Sequence, residues 1–229
     1  MIATIINASA VIIGAFLGLF FKSKISSEFK TVVMTSSGLI TLVLGLGMAF
    51  DAPDTLAALF SLILGGFAGT ALRIEERVLS LGERFAPKGE GDDVSFGIGF
   101  LNSSLLFCSG AMSIVGSIDA GTVGDYELIL IKSVMDGFMA VVFAAAYGKG
   151  VFLSALTIIV YQGFFTLAGG LLSPMLGDDG IAMISAVGGY LLIMLSLSLL
   201  EIRKIKTGNF LPALVFAPIL LFLFSYLPI

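Results

Sequence analysis

The charged residues of this chain are gathered into short clusters, and the stretches between the clusters are long and apolar. None of residues 1–21, 31–50, 55–72, 94–118, 150–177, 180–200 and 207–229 carries an acidic or basic side chain. About 20 consecutive apolar residues cross the roughly 30 Å hydrocarbon core of a bilayer as a helix. A series of such stretches therefore reads as a polytopic membrane protein. Composition agrees: 58% of residues are hydrophobic and 12% are charged, against about a quarter charged in a typical soluble domain. That excludes a disordered chain, an ordinary water-soluble enzyme and a nucleic-acid partner bound through a basic patch. Barrel strands would alternate apolar and polar with period two, whereas Tyr190–Leu200 is apolar on every face. The expected fold is all-α.

Reading between charge clusters predicts eight spans, over about 2–21, 31–50, 55–72, 97–118, 127–147, 151–173, 181–200 and 209–227. The first has no basic segment before it and is followed by Lys22 and Lys24, so it is expected to stay as a helix rather than be cleaved as a signal peptide. Lys and Arg collect on the cytoplasmic side of membrane proteins. Here Lys22, Lys24 and Lys30 fall in the first loop, Arg73, Arg77, Arg84 and Lys88 in the third, Lys149 in the fifth, and Arg203, Lys204 and Lys206 in the seventh. The second, fourth and sixth loops carry acidic residues only, among them Asp51, Asp54, Asp119, Asp125, Asp178 and Asp179. This alternation predicts both termini outside.

The pattern divides the chain into a first three-span repeat (1–72), a connector (73–96), a central pair of spans (97–147) and a second three-span repeat (148–229). In the connector, Ile74, Val78, Leu81 and Phe85 recur at helical spacing opposite Arg73, Glu76, Arg77, Glu83 and Arg84, which predicts an amphipathic helix on the cytoplasmic surface. Residues 87–93 then read as a tether; the segment suits either a solvated linker or a partner dock. The first and sixth spans align with Asn7 opposite Gln162 and Gly14 opposite Gly169, and the second and seventh with Thr35 opposite Ser185 and Gly38 opposite Gly188. The charge pattern gives the paired spans opposite directions, so the repeats are inverted, as in many secondary transporters. A competing alignment sets Asn7–Ser9 against Asn102–Ser104.

Lys132 and Asp136 are the charges that fall deep inside a predicted span. Intramembrane charge costs at least about 2.5–3.5 kcal/mol and needs a partner, a cavity or a function. Their spacing of four puts them on one helix face, where they suit either a polar pathway or a neutralised structural pair. The expected pathway lining is Asn7, Asn102, Ser104, Lys132, Ser133, Asp136, Tyr161 and Gln162, with Lys132 as anion contact or counter-ion, Asp136 as cation or proton site, and the amides as neutral ligands. Span four is rich in Ser and Gly around Ser109, Gly110, Ser113 and Gly116, and reads as either broken or close-packed. Gly14, Gly18, Gly110, Gly137 and Gly169 are expected at helix contacts, with Gly14 and Gly18 forming a small-xxx-small seam for packing or dimerisation. With no His and a single Cys, no metal site, cofactor or enzymatic centre is expected, and no nucleotide-binding loop of the GxxxxGK[ST] type occurs.

Three stretches carry a resemblance that covers essentially the whole chain: Asn7 with Gly14 and Gly18; Gly110–Ser117; and Lys132-Ser-x-x-Asp136-Gly137, followed by Gly148–Val151 and Tyr161-Gln-Gly163, with Asn209-x-Leu-Pro212-Ala213 behind. Together they resemble the YqgA/YdfK-type bacterial inner-membrane proteins, domain of unknown function 554. The resemblance implies a multi-pass protein of the bacterial inner membrane and supplies no substrate. The function expected is secondary transport of a small solute or ion by a homo-oligomer, a dimer being favoured; an ion channel and a non-transporting scaffold are the alternatives.

Overall fold

The computed structural model describes residues 1–22, 27–85, 93–108 and 111–225. Those residues are helical, with no strand among them. The order is α1 (Ile2–Lys22), α2 (Ser27–Phe50), α3 (Thr55–Ala71), α4 (Ile74–Phe85), α5 (Asp93–Cys108), α6 (Ala111–Thr122), α7 (Glu127–Tyr147), α8 (Gly150–Leu199), a 3₁₀ turn (Thr207–Phe210) and α9 (Ala213–Phe224). Among the described residues four helices are each long and apolar enough to cross a bilayer, or up to six if each of two bent pairs counts as one span. In one such pair, α3 and α4, the axes differ by 56°; in the other, α5 and α6, by 62°. Span four is thus bent, with the bend next to its cluster of Ser and Gly.

Helix α8 is 50 residues long and breaks at Gly177, whose φ of 60° and ψ of 178° are not helical. A straight rod of that length would extend about 75 Å. Instead Val151, Ala155 and Ile158 share one buried cluster with Leu191, Leu195 and Leu199, so the chain doubles back and α8 has two arms, 150–176 and 178–199. Glycine suits the corner because a side chain would be strained at that φ. Pro174 lies three residues before it. The last predicted span also departs from a single helix: residues 207–210 form the 3₁₀ turn and α9 starts at Ala213. Pro212 lacks an amide donor and clashes with a preceding helical turn, so it opens a new helix rather than continuing one. At the other end of the bundle Asp54 caps α3, its carboxylate accepting from Leu56 and Ala57 N–H at 2.8 and 2.9 Å.

Small residues set which helices touch. A side chain at Gly14 or Gly18 of α1 would collide with the backbone carbonyls of Gly137 and Val141 on α7. The Gly14–Gly18 seam is therefore consumed inside the chain and is not available to a second copy. In the same way Gly45 of α2 abuts Gly189 on the second arm of α8, and Gly65 of α3 abuts Ala213 of α9. The first arm of α8 packs on α5 and α6: a side chain at Gly150 would strike the Phe96 carbonyl, and Gly169 lies against Ile118. The outward surfaces are apolar; on α7 these include Ile131, Val134 and Phe138. Such a surface suits lipid, not water.

Candidate functional site

On α7 the buried residues Ile129, Lys132, Ser133, Asp136, Ala140, Phe143 and Ala144 recur at helical spacing. The inward face of the helix therefore carries both charges into the bundle. Lys132 and Asp136 are 6% and 5% exposed. The Lys132 ammonium donates to Oδ1 of Asp136 at 2.8 Å and lies 2.8 Å from Oδ2. A third group joins from α1: Asn7, fully buried, donates through Nδ2 to Asp136 Oδ2 at 3.0 Å. The carboxylate is thus met on both oxygens by two helices 129 residues apart in sequence. Asn7 Oδ1 has no donor among the described residues. A buried acceptor without a donor costs about 1–3 kcal/mol, so an unmatched amide oxygen beside a buried ion pair is a place where a ligand, an ion or water gains by binding.

The other expected pathway residues are placed as follows. Ser133 donates to the carbonyl of Ile129 at 2.6 Å, a bond within its own helix. Gln162, fully buried on the first arm of α8, donates to Ser113 Oγ of α6 at 3.2 Å, while its Oε1 has no donor among the described residues. Ser104 pairs with Thr157 at 3.0 Å, and both line a cavity of about 210 Å³ with Cys108, Tyr161 and Leu214. Asn102 donates to the Tyr147 hydroxyl at 3.1 Å. The structure brings Asn7, Lys132 and Asp136 together by direct bonds; Gln162, Ser104 and Asn102 bond instead to other partners. Gly137 and Gly169 stand at helix contacts, and Gly110 lies outside the described residues.

Sequence reasoning passed over a second polar region, at the end of the bundle where Arg73, Arg203, Lys204 and Lys206 collect. A cavity of about 380 Å³ opens there, lined by Glu75, Asn102, Tyr147, Ser198, Glu201 and Lys204 among others. Its rim is tied by reciprocal bonds between α4 and the 3₁₀ turn. Glu75 N–H donates to Asn209 Oδ1 at 2.9 Å, Gly208 N–H donates to Glu75 Oε2 at 2.8 Å, and Lys206 donates to Glu76 at 2.7 Å. Burial pushes the Glu75 carboxyl above the ordinary carboxylate value, against the opposing pull of the Gly208 N–H and Lys206. The exposed Glu76 is held below that value by its bond from Lys206, whose own value is raised in return. Glu201 adopts φ 57°, a left-handed conformation that a non-glycine residue takes at a cost and that clusters at functional sites. Asn102 is the one expected pathway residue that lines this cavity; its other polar groups lie among loop charges, which in a membrane protein first signal topology.

With no strand among the described residues, several helices long and apolar enough to cross a bilayer, and a buried ion pair held between helices, the chain is a membrane protein. Over residues 2–222 it matches the family model described as "Protein of unknown function (DUF554)", and it belongs to that family. It is 31% identical over 226 residues to "Uncharacterized membrane protein YdfK" of Bacillus subtilis (strain 168), covering 97% of this chain and 96% of that one. It is 28% identical over 226 residues to "Uncharacterized protein YqgA" of Escherichia coli (strain K12), covering 95% and 94%. No solved structure matches the chain.

Proposed function

We propose that the protein is a secondary transporter of a small solute or ion in the bacterial inner membrane, with eight crossings, both termini outside, and two inverted three-span repeats around a central pair. The observation that carries this reading is the buried Asn7–Asp136–Lys132 centre, in which a span of the first repeat holds a charge of the central pair. Buried ionisable groups are expensive in a membrane and mark ion or substrate paths by default.

The packing supports the inversion. The first span lies on the fifth (α1 on α7) and the sixth on the fourth (the first arm of α8 on α5 and α6). The second lies on the seventh (α2 on the second arm of α8) and the third on the eighth (α3 on α9). Exchanging one with six, two with seven, three with eight and four with five leaves that set of contacts unchanged. The aligned amides follow the same exchange: Asn7 reaches α7 and Gln162 reaches α6, and each retains an oxygen without a donor. Two inverted halves give one central site two faces that open in turn.

The test is reconstitution into proteoliposomes and solid-supported membrane electrophysiology against amino acids, sugars, carboxylates and inorganic ions. The expected result is a transient current with at least one solute class, abolished in Asp136→Asn while that variant stays folded in detergent. Undiminished current in Asp136→Asn, or a wild type silent to every class, contradicts the reading and favours a scaffold.

A further inference from the structure

The cavity at the basic end of the bundle has a wall chemistry that the transport centre does not share. Glu201 and Lys204 both line it, three residues apart in one loop. Here neither side chain has an ion-pair or hydrogen-bond partner among the described residues. The loop that carries them is fastened: Ser198 Oγ donates to the Arg203 carbonyl at 3.2 Å and accepts from Ile205 N–H at 3.2 Å. Glu75 of α4 adds a second carboxylate to the lining. Its Oε2 is taken by Gly208 N–H, while its Oε1 has no donor among the described residues. Burial disfavours ionised Glu75, and the fold retains a carboxylate there nonetheless. Asn102 and Tyr147, bonded to one another, supply an amide and a hydroxyl, and Met34, Leu79 and Leu195 supply apolar surface.

We propose that this cavity binds a small amino-acid-like zwitterion, its ammonium toward Glu75 and Glu201, its carboxylate toward Lys204, and its apolar side group against Met34, Leu79 and Leu195. A ligand with one charge would satisfy one side of the cavity only; a zwitterion satisfies both. The volume of about 380 Å³ falls at the small end of the usual range for ligand sites. The site lies apart from the charged centre. Tyr147 follows Asp136 by eleven residues on α7, about 16 Å along the axis, and the interval is closed by Ala140, Phe143 and Ala144, each at most 1% exposed. A ligand in the cavity is therefore outside a sealed layer, as a transporter's cargo is when only one face is open. The role as cargo rests on the transporter reading; the binding does not.

The chain offers its own probe for the test. Cys108 is its single cysteine and is buried, so a thiol-reactive dye reports unfolding of the full-length protein in detergent. Melts are run with L-leucine, with 3-methylbutylamine (no carboxylate) and with 4-methylpentanoate (no ammonium), followed by the remaining standard amino acids. The expected result is a concentration-dependent rise in melting temperature with at least one apolar amino acid, and apparent affinities at least tenfold weaker for its two single-charge analogues. In Lys204→Gln the amino acid should fall to the level of the amine, and in Glu201→Gln to that of the carboxylate. Both residues are exposed, so the unliganded melts should stay at the wild-type temperature. No shift with any amino acid, equal shifts with the analogues, or unchanged binding in both variants overturns the proposal. Proteoliposome current separates the two ideas. Binding without current keeps the site and removes the transporter, while current unaffected by Lys204→Gln and Glu201→Gln removes the site and keeps the transporter.

Discussion

Removing one member of the Lys132–Asp136 pair should cost more than removing both. At 2.8 Å and an effective dielectric near 20, the gross attraction is about 6 kcal/mol. Desolvating the two ions takes back several kcal/mol each, so the intact pair contributes little net stability. Lys132→Met leaves a carboxylate buried with only the Asn7 amide, and Asp136→Asn leaves an ammonium buried with no anion. Either stranded charge costs about 3–5 kcal/mol. For a chain of 229 residues, that corresponds to a melting temperature lower by roughly 6–20 °C at about 2–4 °C per kcal/mol. Lys132→Met/Asp136→Leu fills the same space without charge and strands only the neutral Asn7 amide, at about 1–3 kcal/mol, so it should melt above either single variant. The assay is the Cys108 dye melt, run as a double-mutant cycle. A double variant as destabilised as the sum of the two single variants would refute the reasoning, because the groups would then be acting independently. The same double variant should transport nothing, which separates a structural pair from a working one.

Three further outcomes follow from the packing and the rim. Gly14→Val puts a branched side chain onto the Gly137 carbonyl; overpacking of this kind costs about 1–3 kcal/mol or more, so expression and melting temperature should both fall, while the same change at Gly170, which has open space, should be tolerated. Asn209→Ala removes the acceptor for Glu75 N–H, the equivalent of losing a helix cap; about 0.5–2 kcal/mol is expected, with faster hydrogen exchange over 74–80. Glu75→Gln has a pH signature. The Glu75 value in the fold lies above the ordinary 4.5, so its contribution is present below 4.5 and lost as pH rises through the folded value. The variant should therefore melt at or above wild type at pH 7.5, with the difference vanishing toward pH 4.5, and a variant less stable at pH 7.5 would contradict the assignment.

Much of this architecture was legible because lipid imposes a simple grammar. Uncharged stretches of about 20 residues mark helices, and α1, α3 and α7 begin and end within a residue or two of the predicted bounds. Lys132 and Asp136 were legible for the same reason: two charges one turn apart in an apolar helix are conspicuous. Asn7 was legible as a pathway residue, but its bond to Asp136 was not, because that bond depends on how α1 docks on α7, and the register is set by backbone contact at Gly14 and Gly18. Those glycines read as a packing seam with a dimer seam as the alternative, and the α7 carbonyls they touch make them packing. The corner at Gly177 and the break before Pro212 displaced helix ends for local backbone reasons that hydropathy does not register. The cavity of Glu75, Glu201 and Lys204 was hidden behind its own charge, since loop charges in a membrane protein are first read for topology.

The central claim is that two inverted halves expose the Asn7–Asp136–Lys132 centre to one side at a time. Its most direct measurement is two-sided labelling of single cysteines, in a Cys108→Ala background, at Thr4 on the acidic-loop side of the centre and at Asn102 on the basic-loop side. Thr4 is buried and Asn102 borders the open cavity, so without solute the second should react from the cytoplasm and the first should be protected. Saturation with the solute that drives current should reverse the two rates together, and Asp136→Asn should freeze them. Rates that change independently, or reactivity at both positions at once, would contradict the account.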